Sequence, residues 1–420
     1  MGRPLWRISY PAQMKIRLIM INIFGLEYAH EKQYRRGTHR TRSPRETIED
    51  YSRFMRPMGI TRLANLTGLD RIGLPVYTAI RPNARSLTTS QGKGFDRDSA
   101  KASALVECIE FWHAENIEKE TIHESYFALR DREAAADITK MTPIPGRQVR
   151  LDATRSWVEG WDLMSGRPMW VPHDSATMDM VFPAGYEPTF FVSSNGLAGG
   201  NHILEAIVHA LCELIERDAD VEWRANDELR QIDLSAIEDP YCTSTMDRLH
   251  EAGVRVAAWD MTTANGIPSV TAAILEKPDR SDWRSLGVSY GAGSHLSPGV
   301  ALMRAISEAV QTRLTYIAGS RDDLYHEDYA QHHDLDYTNQ VWEETFQSTA
   351  TSLFHLRPDA STDTFEGDVE FLLATLRGMG IESAVAVDLT KPEIGIPVVK
   401  MVVPGLREPV GESEEEEMAA

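Results

Sequence analysis

The sequence predicts an α+β protein with largely antiparallel sheets covered by helices. Three observations carry that expectation. Strand-like runs come in pairs joined by short turns, the pattern of hairpins. Helical runs with an apolar face follow them. One plan, a strand, a glycine-rich bend and then a helix, recurs three times. The helices of that plan share the frame Ala-Leu-x-Glu-x-x-Glu, complete at 104–110 and 210–216. It is looser at 305–311, where Ile306 and Gln311 replace the Leu and the second Glu.

Residues 1–42 read as an irregular arm. Its apolar run at 16–26 is an N-terminal extension or a first strand, too short for a bilayer, which needs about 20 apolar residues. A basic stretch at 35–42 follows, either a solvated arm or a contact for an anionic ligand. Ser43 as N-cap, Pro44 at the first helical position and Glu46 in the first turn predict a helix to about Met58. Residues 74–90 alternate towards strand. Gly92-Lys93-Gly94 then breaks the chain before the first repeat helix, at 98–119. Residues 157–163 and 169–172 flank a Ser165-Gly166 turn as a hairpin, and 190–194 is a strand entering the glycine-rich 195–201. The second repeat helix spans 202–221.

A helix at 243–252 stops at Gly253. Strands at 254–260 and 267–275 are joined through Asn265-Gly266. A strand at 285–290 leads through Gly291-Ala292-Gly293 into the third repeat helix, 298–318. A helix at 366–379, Gly380 and strands at 381–389 and 396–403 close the pattern. The expected division is an arm at 1–42, a catalytic body at 43–410 and a solvated acidic tail at 411–420, carrying Glu412 and Glu414 to Glu417.

Composition narrows the function. A chain of 420 residues with a formal charge of -20 is a poor wrapper of nucleic acid, which wants a basic face. Cys108, Cys212 and Cys242 are far apart with no CxxC pair, so a reducing, cytoplasmic setting is expected, without thiolate zinc. Cys108 and Cys212 lie inside repeat helices and read as small buried apolar residues.

Residues three apart on a helix share a face, so each copy of the frame points two oxygen-bearing side chains the same way. The helix carrying Glu107 and Glu110 is apolar almost all round, hence buried, and buried glutamates demand a partner. The alternatives are internal salt bridges or a metal. Glu213 and Glu216 repeat the arrangement, on a stripe with Glu205 and His209. Four carboxylates on two buried helices repel, and a divalent cation carrying a polyphosphate would neutralise them. Asn201 is either an N-cap or a nucleotide contact. Arg304, Arg313 and Arg321 are candidates for holding the phosphates, since guanidinium binds phosphate bidentately.

Three motifs resemble the YcaO family. The first is Ser194-Asn195-Gly196-Leu197-Ala198-Gly199-Gly200-Asn201 with Glu205 and Ala210 through Asp218. The second is Gly92-Lys93-Gly94 with Ser103 through Glu110. The third is Glu308-Ala309-Val310-Gln311-Thr312-Arg313 with Gly319-Ser320-Arg321-Asp322-Asp323. The similarity runs from roughly residue 42 to 410. It implies the YcaO-type fold, with ATP and Mg²⁺ as cofactors. By position, Glu107, Glu110, Glu213 and Glu216 would ligate Mg²⁺. Ser103, Asn201, Glu205, Arg217, Gln311 and Arg313 would contact nucleotide. Phe111 departs from the family, standing where many members place Arg.

Such enzymes attack a peptide carbonyl with a nucleophile and use ATP to phosphorylate the resulting oxyanion. Cyclodehydratases use a Cys, Ser or Thr of the substrate; thioamide-forming members use external sulfide, often with a TfuA partner. Azoline-forming members commonly end in a proline-rich segment, and 403–410 does not read as one. No fused leader-binding domain is evident. The expectation is thioamide formation on a peptide or protein, with a TfuA-like partner and a homodimer. Two rivals remain. A carboxylate-bridged di-metal oxidase would use the ExxH of Glu110 and His113. A silent homologue would only clamp a partner.

Overall fold

The computed structural model describes residues 20–225, 230–278, 286–346 and 350–409; the tail expected at 411–420 and the arm up to residue 19 lie outside them. Described residues 20–42 form two short antiparallel hairpins, β1 (Ile21–Ile23) with β2 (Leu26–Tyr28) and β3 (Tyr34–Arg35) with β4 (His39–Arg40). This corrects the irregular arm for the described part. Two contacts hold the arm on the body. Ile23 is fully buried in the core, and Lys32 pairs with Asp368 at 2.5 Å with both side chains out of water. Next comes α1 (Pro44–Tyr51), with the expected capping box between Ser43 and Glu46. It is shorter than predicted, because a 3₁₀ turn at Ser52–Phe54 replaces its last turns.

Strands β5 (Arg62–Asn65), β6 (Val76–Ile80) and β7 (Thr89–Lys93) make an antiparallel sheet before α2 (Arg97–Glu115). Then follow β8 (Thr121–Ser125), α3 (Tyr126–Arg130), the predicted hairpin β9 (Thr154–Asp162) and β10 (Arg167–Pro172), and β11 (Leu197–Gly199). The strand expected at 190–194 does not form. Phe190 makes one isolated bridge to Pro143 and buries its ring beside Tyr126 and Trp157. The Ser193 carbonyl is taken by the Lys400 ammonium, so a side chain holds this backbone where a ladder would otherwise do so.

Helix α4 (Ile203–Arg224) and α5 (Pro240–Glu251) precede a second antiparallel sheet, β12 (Val254–Asp260), β13 (Ser269–Glu276) and β14 (Ser289–Ser294). Then come α6 (Pro298–Ala318), α7 (His326–His332), α8 (Leu335–Phe346), α9 (Phe365–Gly378), β15 (Val385–Asp388) and β16 (Val398–Val402). The largest sheet runs β10-β9-β15-β16-β11, with β8 also on β9. Its ladders are antiparallel, as the α+β expectation required.

The triple plan of strand then helix is present, but its glycines serve a different purpose. Gly92 lies within β7, Gly199 within β11, and Gly291 and Gly293 within β14. None of the four has a positive φ. A Cβ on Gly92 would strike the backbone of Ala100 and Ala104 in α2, and one on Gly291 that of Ala305 and Ala309 in α6. Bare Cα atoms let helix backbone press onto strand backbone. At Gly92, Gly291 and Gly293 the glycine of the plan is therefore a close-packing device rather than a bend.

Each repeat helix covers its own strand and reaches a neighbour. Helix α2 lies on β6 and β7 and touches β11 and β16. Helix α4 lies on β11 and β16 and touches β13 and β14, and α6 lies on β13 and β14 and touches β6 and β7. The three helices thus close a ring between three sheets, and the carboxylate frames face its centre.

Candidate functional site

A cavity of about 410 Å³ occupies that centre. Its walls carry Ser103, Glu107 and Glu110 from α2, Asn201 ahead of α4, Glu205, His209, Glu213, Glu216 and Arg217 from α4, and Arg304, Glu308 and Gln311 from α6. Arg321, just past the end of α6, lines it too. The arm adds Arg36, Arg40 and Arg42. The basic stretch thus faces the cavity, which Phe111 also lines.

The acidic side chains fall into two kinds. Among the described residues Glu107, Glu110 and Glu213 have no cationic side chain within 4.0 Å. Burial pushes Glu107 up to about 7, against the more distant pull of Lys93 and Arg321. Burial pushes Glu110 up to about 8, although the Gly199 amide donates to its Oε1 at 2.5 Å. Burial raises Glu213 to about 7, opposed by Arg217. Each is short of positive charge. Glu308 behaves oppositely. Burial pushes it up, but Lys93, whose Nζ lies 2.5 Å from its carboxylate, and then Arg217 bring it down to about 2. Glu216 is intermediate: the Ser294 amide donates to it at 2.9 Å, with Arg217 at 3.7 Å and Arg304 at 3.9 Å.

Two predicted nucleotide contacts hold the arm. Glu205 accepts from the Thr41 amide at 2.8 Å and its hydroxyl at 2.9 Å, with Arg40 at 3.6 Å. Asn201 accepts from Arg42 Nε and from the Thr47 hydroxyl, both at 2.8 Å. Asn201 is not an N-cap. That place belongs to His202, whose ring accepts from the Leu204 amide at 3.2 Å. Gln311 donates to the Gln91 carbonyl at 3.1 Å, while its Oε1 is buried without a partner. Arg321 is paired with Asp323 at 2.7 Å.

Arg313 is a correction. It does not line the cavity. Its guanidinium is buried on the opposite side of α6, where Nε donates to Asp70 at 2.8 Å and a terminal nitrogen pairs with Glu276. Gln311 and Arg313 are two apart, and helical residues two apart do not share a face. Arg304 takes the place on the cavity wall, and its Nε is buried with no hydrogen-bond partner. Sequence reasoning passed over Lys93 as a charge. Its signal was the lysine inside Gly92-Lys93-Gly94, opposite the frame that keeps only one Glu.

The di-metal oxidase loses its histidine. His113 is fully buried away from the cavity, with Nδ1 at 2.8 Å from the Ile109 carbonyl, so no ExxH ligand pair forms. Burial pushes the Cys108 thiol up to about 11 and Cys212 up to about 12, so neither thiol is a ready nucleophile.

The donor set suits a hydrated, phosphate-bridging ion. Among the described residues no three His, Cys, Asp or Glu side chains converge into a protein-only cage. Mg²⁺ is held in the same spread-out manner, through one or two carboxylates, its own waters and phosphate oxygens. Three carboxylates short of charge opposite arginines from the arm and α6 fit such an ion with an anionic nucleotide.

The comparisons agree with this geometry. The family model described as YcaO cyclodehydratase, ATP- and Mg²⁺-binding, matches residues 91–407. An uncharacterized protein of Methanothermobacter thermautotrophicus is 33% identical over 372 residues, covering 86% of this chain and 94% of its own. An uncharacterized protein in the tfuA 3' region of Rhizobium leguminosarum bv. trifolii is 34% identical, covering 87% of each chain. A YcaO structure from Methanopyrus kandleri, bound with AMPPCP and Mg²⁺, superposes with a TM-score of 0.70 at 22% identity, over 91% of this chain and 98% of that one. A heterocyclase in complex with substrate and cofactor superposes at 0.75 with 22% identity, over 91% of this chain and 54% of that longer one. No described helix is long and apolar enough to cross a membrane. The chain belongs to the YcaO family.

Proposed function

We propose that this chain binds ATP with Mg²⁺ in the central cavity and activates a peptide-backbone amide by O-phosphorylation, forming a thioamide with an external sulfur source and a TfuA-like partner. The observation that carries the proposal is the trio Glu107, Glu110 and Glu213, the first and last half-buried and Glu110 buried, none with a cationic partner among the described residues and all facing arginines across one cavity. Bound ATP would supply the phosphoryl group that turns the peptide oxygen into a leaving group, and Mg²⁺ would neutralise the phosphates. The chain's own task is placement and charge. Glu107, Glu110, Glu213 and Glu216 hold the cation side. Arg217, Arg304 and Arg321 face the anionic side. Ser103, Asn201, Glu205 and Gln311 orient the nucleotide, Asn201 and Glu205 also keeping the arm closed against α4. No protein nucleophile is called for, in keeping with the buried thiols.

The thioamide branch is favoured by the Rhizobium relative's place beside tfuA. A cytoplasmic homodimer and a body beginning near residue 43 belong to the same proposal. The second reading, azoline formation from a Cys, Ser or Thr of a ribosomal peptide, is favoured by the likeness to the heterocyclase. Product mass separates them. Ring closure removes water, whereas sulfur exchange adds the difference between sulfur and oxygen. ATP turnover should require the peptide and vanish in Glu213→Gln and Glu216→Gln; full activity in both variants would defeat the proposal.

A further inference from the structure

Lys400 stands in the middle of β16, a strand buried along its whole length, and is 3% exposed. An ammonium there is costly, and a strand serving the core alone would carry an aliphatic residue. Its Nζ donates to the Ser193 carbonyl at 2.5 Å, and among the described residues no carboxylate lies within 4.0 Å of it. That carbonyl belongs to 191–196, which joins no ladder.

The same stretch is one wall of the central cavity. Ser194, Leu197 and Gly199 face it, and the Gly199 amide donates to Glu110. Behind the wall Lys400 borders a second cavity of about 40 Å³ with Asn195 and Glu408, where the Asn195 amide nitrogen donates to Glu408 at 3.1 Å. The Met401 amide donates to the Gly196 carbonyl at 2.8 Å. Lys400 therefore secures the end of the stretch that the sheet does not.

We propose that Lys400 is a positioning residue for the site: by gripping the Ser193 carbonyl it fixes the wall that sets Gly199 against Glu110, and so the carboxylate geometry that receives the cation. This rests on the reading of the central cavity as an Mg²⁺–nucleotide site. The Lys400 charge also acts on Glu213, where it is one of the weaker influences set against burial.

The test is calorimetric binding of AMPPCP with Mg²⁺ to the full-length wild type, Lys400→Met and Lys400→Arg, with a thermal melt of each. The expected result is that K400M melts near wild type, because a buried charge exchanged for a thioether of similar size spares the core. It should bind the complex at least tenfold more weakly, and K400R, which keeps a donor for Ser193, should recover much of that loss. Wild-type affinity in K400M overturns the inference and leaves the functional reading intact. Failure of K400M to fold also overturns it, since the lysine would then serve the core itself. No binding by the wild type overturns the functional reading and this inference together.

Discussion

Replacing Glu110 by Gln should stabilise the metal-free protein, and only at high pH. Burial holds the Glu110 carboxyl at about 8 in the folded chain, against an ordinary 4.5. At about 1.4 kcal/mol per pH unit, the ionised carboxylate costs the fold about 5 kcal/mol. Below pH 4.5 folded and unfolded chains both hold the proton, and nothing is lost. Between 4.5 and 8 the unfolded chain has released it while the folded chain keeps it, so stability falls as pH rises and the loss is complete above 8. E110Q has no such loss, and its side-chain oxygen still accepts from the Gly199 amide. Urea unfolding in a chelator, on the acid side of the transition and again above it, should show the variant's advantage widening with pH to several kcal/mol. An advantage that does not change with pH, or a destabilised variant in alkaline buffer, would refute the reasoning. The carboxylate would then be compensated within the protein, and the cavity would demand no cation.

Three further outcomes follow from the same structure. Arg313→Met should cost about 3–5 kcal/mol, because the Asp70 carboxylate, almost out of water, is left without its cation while Glu276 keeps only the more exposed Arg71; a stable variant that has lost nucleotide binding would return Arg313 to the site. Gly291→Ala should fold poorly, since its methyl would enter the backbone of α6 at Ala305 and Ala309, whereas Gly266→Ala, with nothing within 4 Å, should cost only turn strain; equal melting temperatures would contradict the close-packing role. Cation binding to wild type should release protons between pH 6 and 8, where Glu107, Glu110 and Glu213 hold theirs at about 7, 8 and 7, and buffers of different ionisation enthalpy would reveal it.

The helices were legible because their signal is local. Ser43, Pro44 and Glu46 act within one turn of α1, and apolar spacing shows which face is buried. The paired glutamates were legible because residues three apart must share a side. What stayed hidden depends on partners far away in sequence. Gly92 reads as a bend until α2 is seen pressed on it. Arg313 reads like its neighbours until Asp70 and Glu276, from two other elements, are placed beside it. The described part of the arm looks irregular because its order comes from Glu205, Asn201 and Asp368, all far along the chain. Lys400 was overlooked because a single lysine in Val398-Val399-Lys400-Met401-Val402 carries no periodic signal.

The central claim is that a cation bridging nucleotide phosphates sits between α2 and α4. Crystals grown with a non-hydrolysable ATP analogue and Mn²⁺ in place of Mg²⁺ test it through the anomalous signal of the metal. The account predicts anomalous peaks within bonding distance of carboxylate oxygens from Glu107, Glu110, Glu213 or Glu216, with the phosphates reaching the arginines of the arm and α6. Ordered nucleotide elsewhere, or manganese absent from those four side chains, would contradict it.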